Sequence, residues 1–168
     1  MTNYNSIASS DIRNYIWQAI QDAEILDEND YYADGFSTSL VPIIPAQQVP
    51  EFINLLPGRT YMLYDFEVKT ISPQWWVTDE SFTLTVISQN FEVINQITNL
   101  MQDLFRRYDE SATDINAQLD QPADFRYLHT VLDSIMSPEP YGAEGDYQIG
   151  SSTISYCYTR NTGANGRF

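Results

Sequence analysis

Residues 61–71, YMLYDFEVKTI, alternate between apolar and mainly polar side chains. The apolar positions are Met62, Tyr64, Phe66 and Val68, and the intervening positions are Leu63, Asp65, Glu67 and Lys69. Successive side chains of a β-strand point to opposite faces of a sheet. The alternation therefore predicts a strand with one buried face and one face that is mostly in water.

A second stretch, SFTLTVI at residues 81–87, alternates in the same way. Its threonines and valine are β-branched and favour a pleated, half-buried surface. The break between the two stretches contains Ser72-Pro73 and Trp75-Trp76. Because that break is short, the two stretches are expected to pair as a hairpin-like unit.

Two other segments have helical periodicity. The first begins near Ser9-Ser10-Asp11, whose side-chain oxygens can accept hydrogen bonds from the first backbone N–H groups, and it ends in the acidic run 27–30. The second begins at Asn90, a favourable N-cap residue, and Arg106 and Arg107 fall in its last turns. Apolar residues recur at three- and four-residue steps in both. They are Ile12, Tyr15, Ile16, Ala19, Ile20, Ala23 and Leu26 in the first helix, and Ile94, Ile97, Leu100, Met101, Leu104, Phe105 and Tyr108 in the second.

The last part of the chain predicts two more strands. Residues 109–119 add a helical turn or two, residues 125–136 form a third strand that Pro138 and Pro140 stop, and residues 147–159 form a fourth. This order predicts one α+β domain over residues 1–160, with a sheet of about four mostly antiparallel strands flanked by two main helices. The Gly- and Asn-rich residues 161–168 are expected to be a flexible tail.

Residues 31–59 form a long connection without periodicity. Glycine and proline interrupt it at Gly35, Pro42, Pro45, Pro50 and Pro57. It is nevertheless apolar, with Phe36, Leu40, Ile43, Ile44 and Phe52 among its side chains. Long connections in compact domains are usually functional or disordered, and this one is too apolar for disorder. It is therefore expected to be an extended Pro-rich arm that either lies across its own core or docks on another subunit.

The charge of the chain is strongly acidic. Its 168 residues include 8 Lys plus Arg and 23 Asp plus Glu, which gives a net charge of −15, and Lys69 is the only lysine. Nucleic-acid binding by phosphate contacts is disfavoured, because that affinity needs clustered cations. The first residues have neither a basic nor an apolar leader segment, and no stretch approaches a membrane span, so synthesis in the cytosol is expected.

No pattern of residues predicts catalysis, a cofactor or a metal. His129 is the only histidine, and its strand pattern places Tyr127 and Val131 on the same face. Cys157 has no cationic neighbour in sequence that would lower its pKa. These two residues are too few for a structural zinc site, and the turn at Asp30 lacks two ligands of a calcium loop. Both His129 and Cys157 are expected to be structural, and the chain is not expected to be an enzyme.

Two pairs of residues instead suggest contacts with other subunits. The adjacent indoles Trp75 and Trp76 cannot both point into one core, and tryptophan is enriched at interfaces. Self-association, partner binding and simple packing at the edge of the sheet are all open for this pair. Arg106 and Arg107 could clamp a carboxylate of a neighbour or could simply interact with the helix C-terminus.

Taken in order, these features resemble the tail terminator, or tail completion, family of long-tailed bacteriophages. The resemblance covers most of the chain and depends on element order. It includes the Pro-rich run 42–52 before residues 61–65, the QWW sequence at 74–76 before residues 82–87, and the long helix from Phe91 to Tyr108.

The resemblance implies a structural virion protein, made in the host cytoplasm, that forms a ring, usually a hexamer. Such a ring caps the head-proximal end of the finished tail tube, stops tube growth and joins the tail to the head connector. Its implied partners are further copies of itself, the tail tube protein and the connector protein, with the tail sheath as a further candidate. The interface residues that we assign by inspection are Phe36, Leu40, Ile43, Ile44, Phe52, Trp75, Trp76, Arg106 and Arg107.

DNA must pass through such a ring without being held. A channel rich in carboxylates and poor in lysine would repel phosphates, so part of the negative charge is expected to line it. Two alternatives stay open: another ring component of the neck between head and tail, and an acidic DNA mimic that inhibits a DNA-binding protein.

Overall fold

The computed structural model describes residues 7–27, 30–31, 41–46, 59–71, 77–106, 108–121, 123–142 and 146–160. These residues form three helices and five strands. The helices are α1 (Ala8–Asp22), α2 (Phe91–Phe105) and α3 (Tyr108–Gln118). The strands are β1 (Ile43–Pro45), β2 (Tyr61–Ile71), β3 (Val77–Ser88), β4 (Phe125–Tyr141) and β5 (Tyr147–Arg160).

The strands form one mixed sheet in the order β1-β2-β3-β5-β4. The pairs β2–β3, β3–β5 and β4–β5 are antiparallel, and β1 lies parallel to β2 with Ile43 opposite Met62. The predicted α+β class and the pairing of the two alternating stretches are confirmed. The expected count of four strands is wrong, because three residues of the Pro-rich connection add a short edge strand. A segment so short has no alternation that could identify it, and an edge position tolerates its proline.

The helical boundaries also differ from expectation. The helix that begins at Ala8 follows Ile7, whose side chain makes no capping hydrogen bond, so the serines near its start are not its cap. Asn90 does cap α2, because its side chain accepts a hydrogen bond from the Glu92 amide at 3.0 Å. That helix ends at Phe105, and Tyr108 instead begins the separate helix α3, which is longer than the turn or two expected.

Strand β4 continues through the two prolines that were expected to stop it. It runs to Tyr141, where Pro140 lies opposite Gln148 of β5, and a register shift between Met136 and Glu139 absorbs Pro138. Among the described strands β4 is the last of the sheet, so within this part of the chain one side of it has no neighbouring strand that needs an N–H donor. Gly142 follows the strand with a φ of +90°, a backbone conformation that favours glycine.

All three helices pack on one face of the sheet, which we call the core face. Alternate residues of the central strands point into it, among them Phe82 and Leu84 of β3 and Ile154 and Tyr156 of β5. The helices contribute Ile12, Ile16, Ile20, Ile94, Ile97, Met101, Phe105, Ala112 and Ile115. Burial of this apolar surface is the main favourable contribution to folding.

Helix α2 approaches the sheet most closely at Gly150. A Cβ atom on this residue would lie 2.7 Å from Cγ2 of Ile94, closer than any real contact. Glycine is therefore favoured here, because a side chain at this position would have to displace Ile94.

Residues 32–40 and 47–58, which make up most of the expected arm, lie outside the described residues, as does the expected tail at 161–168. Both expectations stay predictions.

Candidate functional site

The interface residues assigned from the sequence fall into three groups. Ile43 is fully buried in the core of its own chain, so its side chain offers no surface to a neighbour. Ile44 is half-buried beside it, and Arg106 is exposed at the C-cap of α2. Six others lie outside the described residues: Phe36, Leu40, Phe52, Trp75, Trp76 and Arg107.

The face of the sheet opposite the helices carries rows of hydroxyl groups, and we call it the hydroxyl face. Three cross-strand pairs of β3 and β5 form it: Ser81 with Ser155, Thr83 with Thr153, and Thr85 with Ser151. The Oγ1 atoms of Thr83 and Thr153 are 3.0 Å apart and share a hydrogen bond. These rows offer hydrogen-bond donors and acceptors without charge.

An ion pair lies at the border of the hydroxyl face. Lys69 Nζ donates hydrogen bonds to Asp133 Oδ2 at 3.0 Å and to Ser155 Oγ at 2.7 Å, and Ser155 also donates to Asp133. Burial alone would raise the pKa of Asp133, but the hydrogen bonds from Ser155 and Lys69 and the lysine charge lower it overall. The only lysine of the chain is thereby held against a carboxylate.

Serine next to lysine can form a catalytic dyad, but this pair lacks the chemistry. A lysine that activates a serine must be neutral in order to accept its proton, which requires a desolvated ammonium. Lys69 is 45% exposed rather than desolvated, it donates to Ser155, and the Ser155 hydroxyl donates to Asp133 instead of to the lysine. The arrangement is therefore a surface ion pair.

His129 and Cys157 lie opposite each other on β4 and β5. The Cys157 Sγ and His129 Nδ1 atoms are 3.0 Å apart. Burial raises the pKa of the Cys157 thiol, a hydrogen bond from the His129 backbone partly opposes this, and the charge of Asp79 adds a smaller increase. The neutral thiol is therefore favoured, and Cys157 is not an activated nucleophile.

The sequence pattern did not predict the contact between Cys157 and His129, and the register of β4 explains why. A register shift between Tyr127 and His129 breaks the alternation of β4. Tyr127 is consequently buried on the core face while His129 is exposed on the other, so the expected placement of both on one face is wrong. No residue pattern in the strand indicates such a β-bulge.

A carboxylate is buried on the core face. Glu80 is 2% exposed and accepts hydrogen bonds from the hydroxyls of Tyr156 and, at 2.8 Å, Tyr158. Burial raises the pKa of Glu80, and the two tyrosine hydrogen bonds only partly oppose that. The alternation Glu80, Phe82, Leu84 could have identified this position, because it places the glutamate in line with core residues.

A third buried tyrosine, Tyr127, joins α1 to the sheet. The Tyr127 hydroxyl donates to the Ala8 carbonyl at 2.8 Å and contacts Asp11 Oδ2 at 2.9 Å. Burial raises the pKa of Asp11, and the charge of Asp124 adds to this against the hydrogen bond from Tyr127. Asp11 and Asp124 line a cleft of about 540 Å³ between α1, α3 and the start of β4.

Within the described residues, no three histidine, cysteine or acidic side chains are grouped so that they could hold a metal ion. None of the helices in these residues has the length and apolar character needed to cross a membrane.

In comparisons with known proteins, no protein-family model matches the chain, and neither does any curated protein.

Proposed function

We propose that this chain is a structural virion protein that forms a ring at the head-proximal end of a phage tail. The ring ends growth of the tail tube and joins the tail to the head connector. Further copies of the chain, the tail tube protein and the connector protein are its partners, with the sheath as a further candidate. The resemblance in element order supports this assignment.

The observation that carries the proposal is the hydroxyl face. The rows of serine and threonine are uncharged, and the lysine beside them is paired with Asp133. On β2 the exposed carboxylates of Asp65 and Glu67 lie opposite Thr83 and Ser81 and border these rows with negative charge. Such a surface suits the wall of a channel through which DNA slides, because it offers phosphates no cation to bind. We therefore place the hydroxyl face toward the channel and the helices toward the outside of the ring.

The first experiment is negative-stain imaging of the purified protein at high concentration, alone and mixed with tail tubes of the phage that encodes it. Closed rings, or a cap at one end of each tube, are expected. Monomers that leave the tubes bare would contradict the assignment.

The second experiment tests the channel wall. Thr83→Lys with Thr153→Lys adds two cations to the hydroxyl face, and Gln96→Lys with Gln102→Lys adds two to exposed positions of α2. Rings of the first variant are expected to retain double-stranded DNA at low salt, while rings of the second release it. Equal retention by both variants would place the hydroxyl face away from the channel.

An acidic DNA mimic is the second candidate, and the net charge of −15 favours it. A mimic would bind a basic protein with strongly salt-dependent affinity and would need no ring. Capture of a DNA-binding enzyme by the monomer, with inhibition of that enzyme, would favour this candidate.

A further alternative is that the chain is another ring component of the neck. Rings that form but do not cap tail tubes would favour it.

A further inference from the structure

The first turn of α1, residues 8–11, has two features that weaken its docking on the sheet. Ile7, which precedes it, makes no side-chain capping hydrogen bond. Ser9 is fully buried, and its Oγ atom has no hydrogen-bond partner among the described residues. A buried hydroxyl without a partner is destabilising, because its hydrogen bonds to water are lost and not replaced. The docking of this turn therefore depends on its other contacts.

One hydroxyl of β4 contacts this turn and faces two oxygen atoms. Tyr127 Oη lies 2.8 Å from the Ala8 carbonyl oxygen and 2.9 Å from Asp11 Oδ2. A phenol has one proton, and a carbonyl oxygen can only accept a hydrogen bond. Both contacts are full hydrogen bonds at the same time only when Asp11 is protonated and donates to Tyr127 while Tyr127 donates to Ala8.

Ionisation of Asp11 would break this chain of two hydrogen bonds. The carboxylate would compete with the Ala8 carbonyl for the single proton of Tyr127, which leaves one of the two acceptors facing an oxygen atom. Tyr127 is only 2% exposed, so solvent has little access to replace the lost bond. The two protonation states of Asp11 therefore hold the first turn with different strength.

The surroundings of Asp11 favour the protonated form. Burial raises the pKa of Asp11, its hydrogen bond with Tyr127 partly opposes this, and the charge of Asp124 adds a smaller increase. Asp11 also lies in the first turn of the helix, where the helix dipole favours negative charge. The net effect is a pKa above the ordinary 3.8.

Other titratable groups face this region from the elements packed around it. Asp120, Asp124 and Tyr15 line the same cleft as Asp11, Asp114 of α3 acts on Tyr15, and Glu80 and Tyr158 act on Tyr127.

Two arginines in this part of the fold lie over aromatic rings. The Arg13 guanidinium is 5.8 Å from the ring centroid of Tyr64, and that of Arg160 is 4.7 Å from the ring centroid of Phe125. The printed neighbours of Asp11 itself are thus a hydroxyl and a carboxylate, with no cation that would favour its ionised form.

We propose that Asp11, Tyr127 and Ala8 form a pH-sensitive latch, which holds the first turn of α1 against β4 while Asp11 is protonated and releases it when Asp11 ionises. Release widens the cleft of about 540 Å³ that Asp11 and Asp124 line. The proposal goes beyond ring formation and does not depend on it, since the latch belongs to a single chain.

The release is confined to the start of the helix. Ile12, Ile16 and Ile20 are fully buried and keep the rest of α1 on the core face. Asp11 binds its proton more tightly when the turn is latched than when it is released. The latch is therefore complete below the pKa of the released carboxyl and is lost as pH rises through the higher pKa of the latched one.

The test is amide hydrogen exchange of the full-length protein, measured by NMR between about pH 5 and about pH 8. The amides of residues 12–15 donate to the carbonyls of residues 8–11, so they report on the first turn. Protection factors remove the intrinsic pH dependence of exchange. In the unsubstituted chain, protection of residues 12–15 is expected to fall about five- to tenfold relative to α2 as pH rises. The carboxyl carbon shift of Asp11 should titrate over the same range.

Three variants separate the parts of the latch. Asp11→Asn keeps a donor toward Tyr127 and cannot ionise, so protection should stay high at every pH. Tyr127→Phe removes the shared hydroxyl, so protection should be low at every pH. Asp124→Asn removes a charge that raises the pKa of Asp11, so the loss of protection should move to lower pH.

Two controls address charge in general. Asp22→Asn removes an exposed carboxylate at the other end of α1, and it should behave like the unsubstituted chain. Glu80→Gln removes the buried carboxylate whose charge acts on Tyr127, and it should leave the pH dependence of residues 12–15 in place.

Constant protection in the unsubstituted chain, or an Asp11 carboxyl that does not titrate with the loss of protection, would each overturn the proposal. So would equal losses in Asp11→Asn and Tyr127→Phe, since the ionised carboxylate would then be the group that holds the turn. Protection of the α2 amides shows whether each variant is folded, and the titration of the unsubstituted chain decides the matter if a variant is not. Ring formation is scored separately by imaging, so the two proposals can fail independently.

Discussion

The two faces of the sheet are built from alternate residues of the same strands, yet they carry different chemistry. On β3, Phe82 and Leu84 are buried beneath the helices, whereas Thr83 between them belongs to the hydroxyl face. Burial of large apolar side chains stabilises the fold, whereas a shared surface hydrogen bond contributes little. We therefore expect truncations on the hydroxyl face to cost less stability than truncations on the core face.

Truncation of one side chain on each face tests this difference most directly. Phe82→Ala removes a fully buried ring that stacks on Tyr64 at 5.1 Å between centroids, and it should cost about 3–5 kcal/mol of unfolding free energy. Thr83→Ala, one residue away on the hydroxyl face, should cost about 1 kcal/mol or less. Urea unfolding followed by circular dichroism measures both. Equal losses would mean that the two faces contribute alike.

Gly150→Ala tests how tightly α2 is packed on the core face. The added methyl would meet Ile94 Cγ2 at 2.7 Å, so we expect a loss of about 1–3 kcal/mol.

A double-mutant cycle with Ile94→Ala provides the control for Gly150→Ala. Shortening Ile94 removes the clashing methyl, so the double variant should be more stable than the two single losses predict when added. Strict additivity would show that the cost of the alanine arises elsewhere.

The sequence predicted strand pairing well where alternation is unbroken. The stretch from Tyr61 to Val68 and the stretch from Ser81 to Ile87 alternate without interruption, and their pairing followed from that pattern. The expected burial was wrong for Phe66 and Val68, which are 40% and 51% exposed although they lie on the same face as the buried Met62 and Tyr64.

The predicted number and length of strands were wrong where a strand depends on its position in the sheet. The strand Ile43–Pro45 exists because β2 lies beside it, and β4 passes through Pro138 and Pro140 because it is an edge.

The candidate site was less predictable than the fold. The contacts Lys69–Asp133 and Cys157–His129 join residues far apart in sequence, and β-bulges in β4 lie close to both Asp133 and His129. A bulge has no compositional signal, so neither contact could be derived from residue types.

Glu80 is a carboxylate buried among the apolar side chains of the core face, so its effect on stability depends on pH. Its pKa is raised above the ordinary 4.5, so the folded state binds a proton more tightly than the unfolded state does. This contribution to stability is complete below the unfolded pKa and is lost as pH rises through the folded pKa. Glu80→Gln should therefore gain stability relative to the unsubstituted chain between about pH 5 and about pH 8. Urea midpoints at both pH values measure the difference.

Tyr158→Phe is the companion variant for Glu80. It removes a hydrogen bond that stabilises the ionised carboxylate, so stability should fall more steeply with pH than in the unsubstituted chain. A pH dependence that neither variant changes would mean that Glu80 does not titrate in this range.

The smallest effect is expected at the ion pair beside the hydroxyl face. Lys69 and Asp133 are 45% and 36% exposed, so solvent screens their attraction, and Lys69→Met should cost less than about 1 kcal/mol at low salt. The loss should shrink further in high salt, because exposed charges are screened within a few ångströms. Asp133→Asn is the matched control, since it keeps an acceptor for Lys69 and Ser155 while removing the charge. A loss as large as that of Phe82→Ala would show that the ion pair holds the strands together, and the contrast between a stabilising face and a freely variable one would then be wrong.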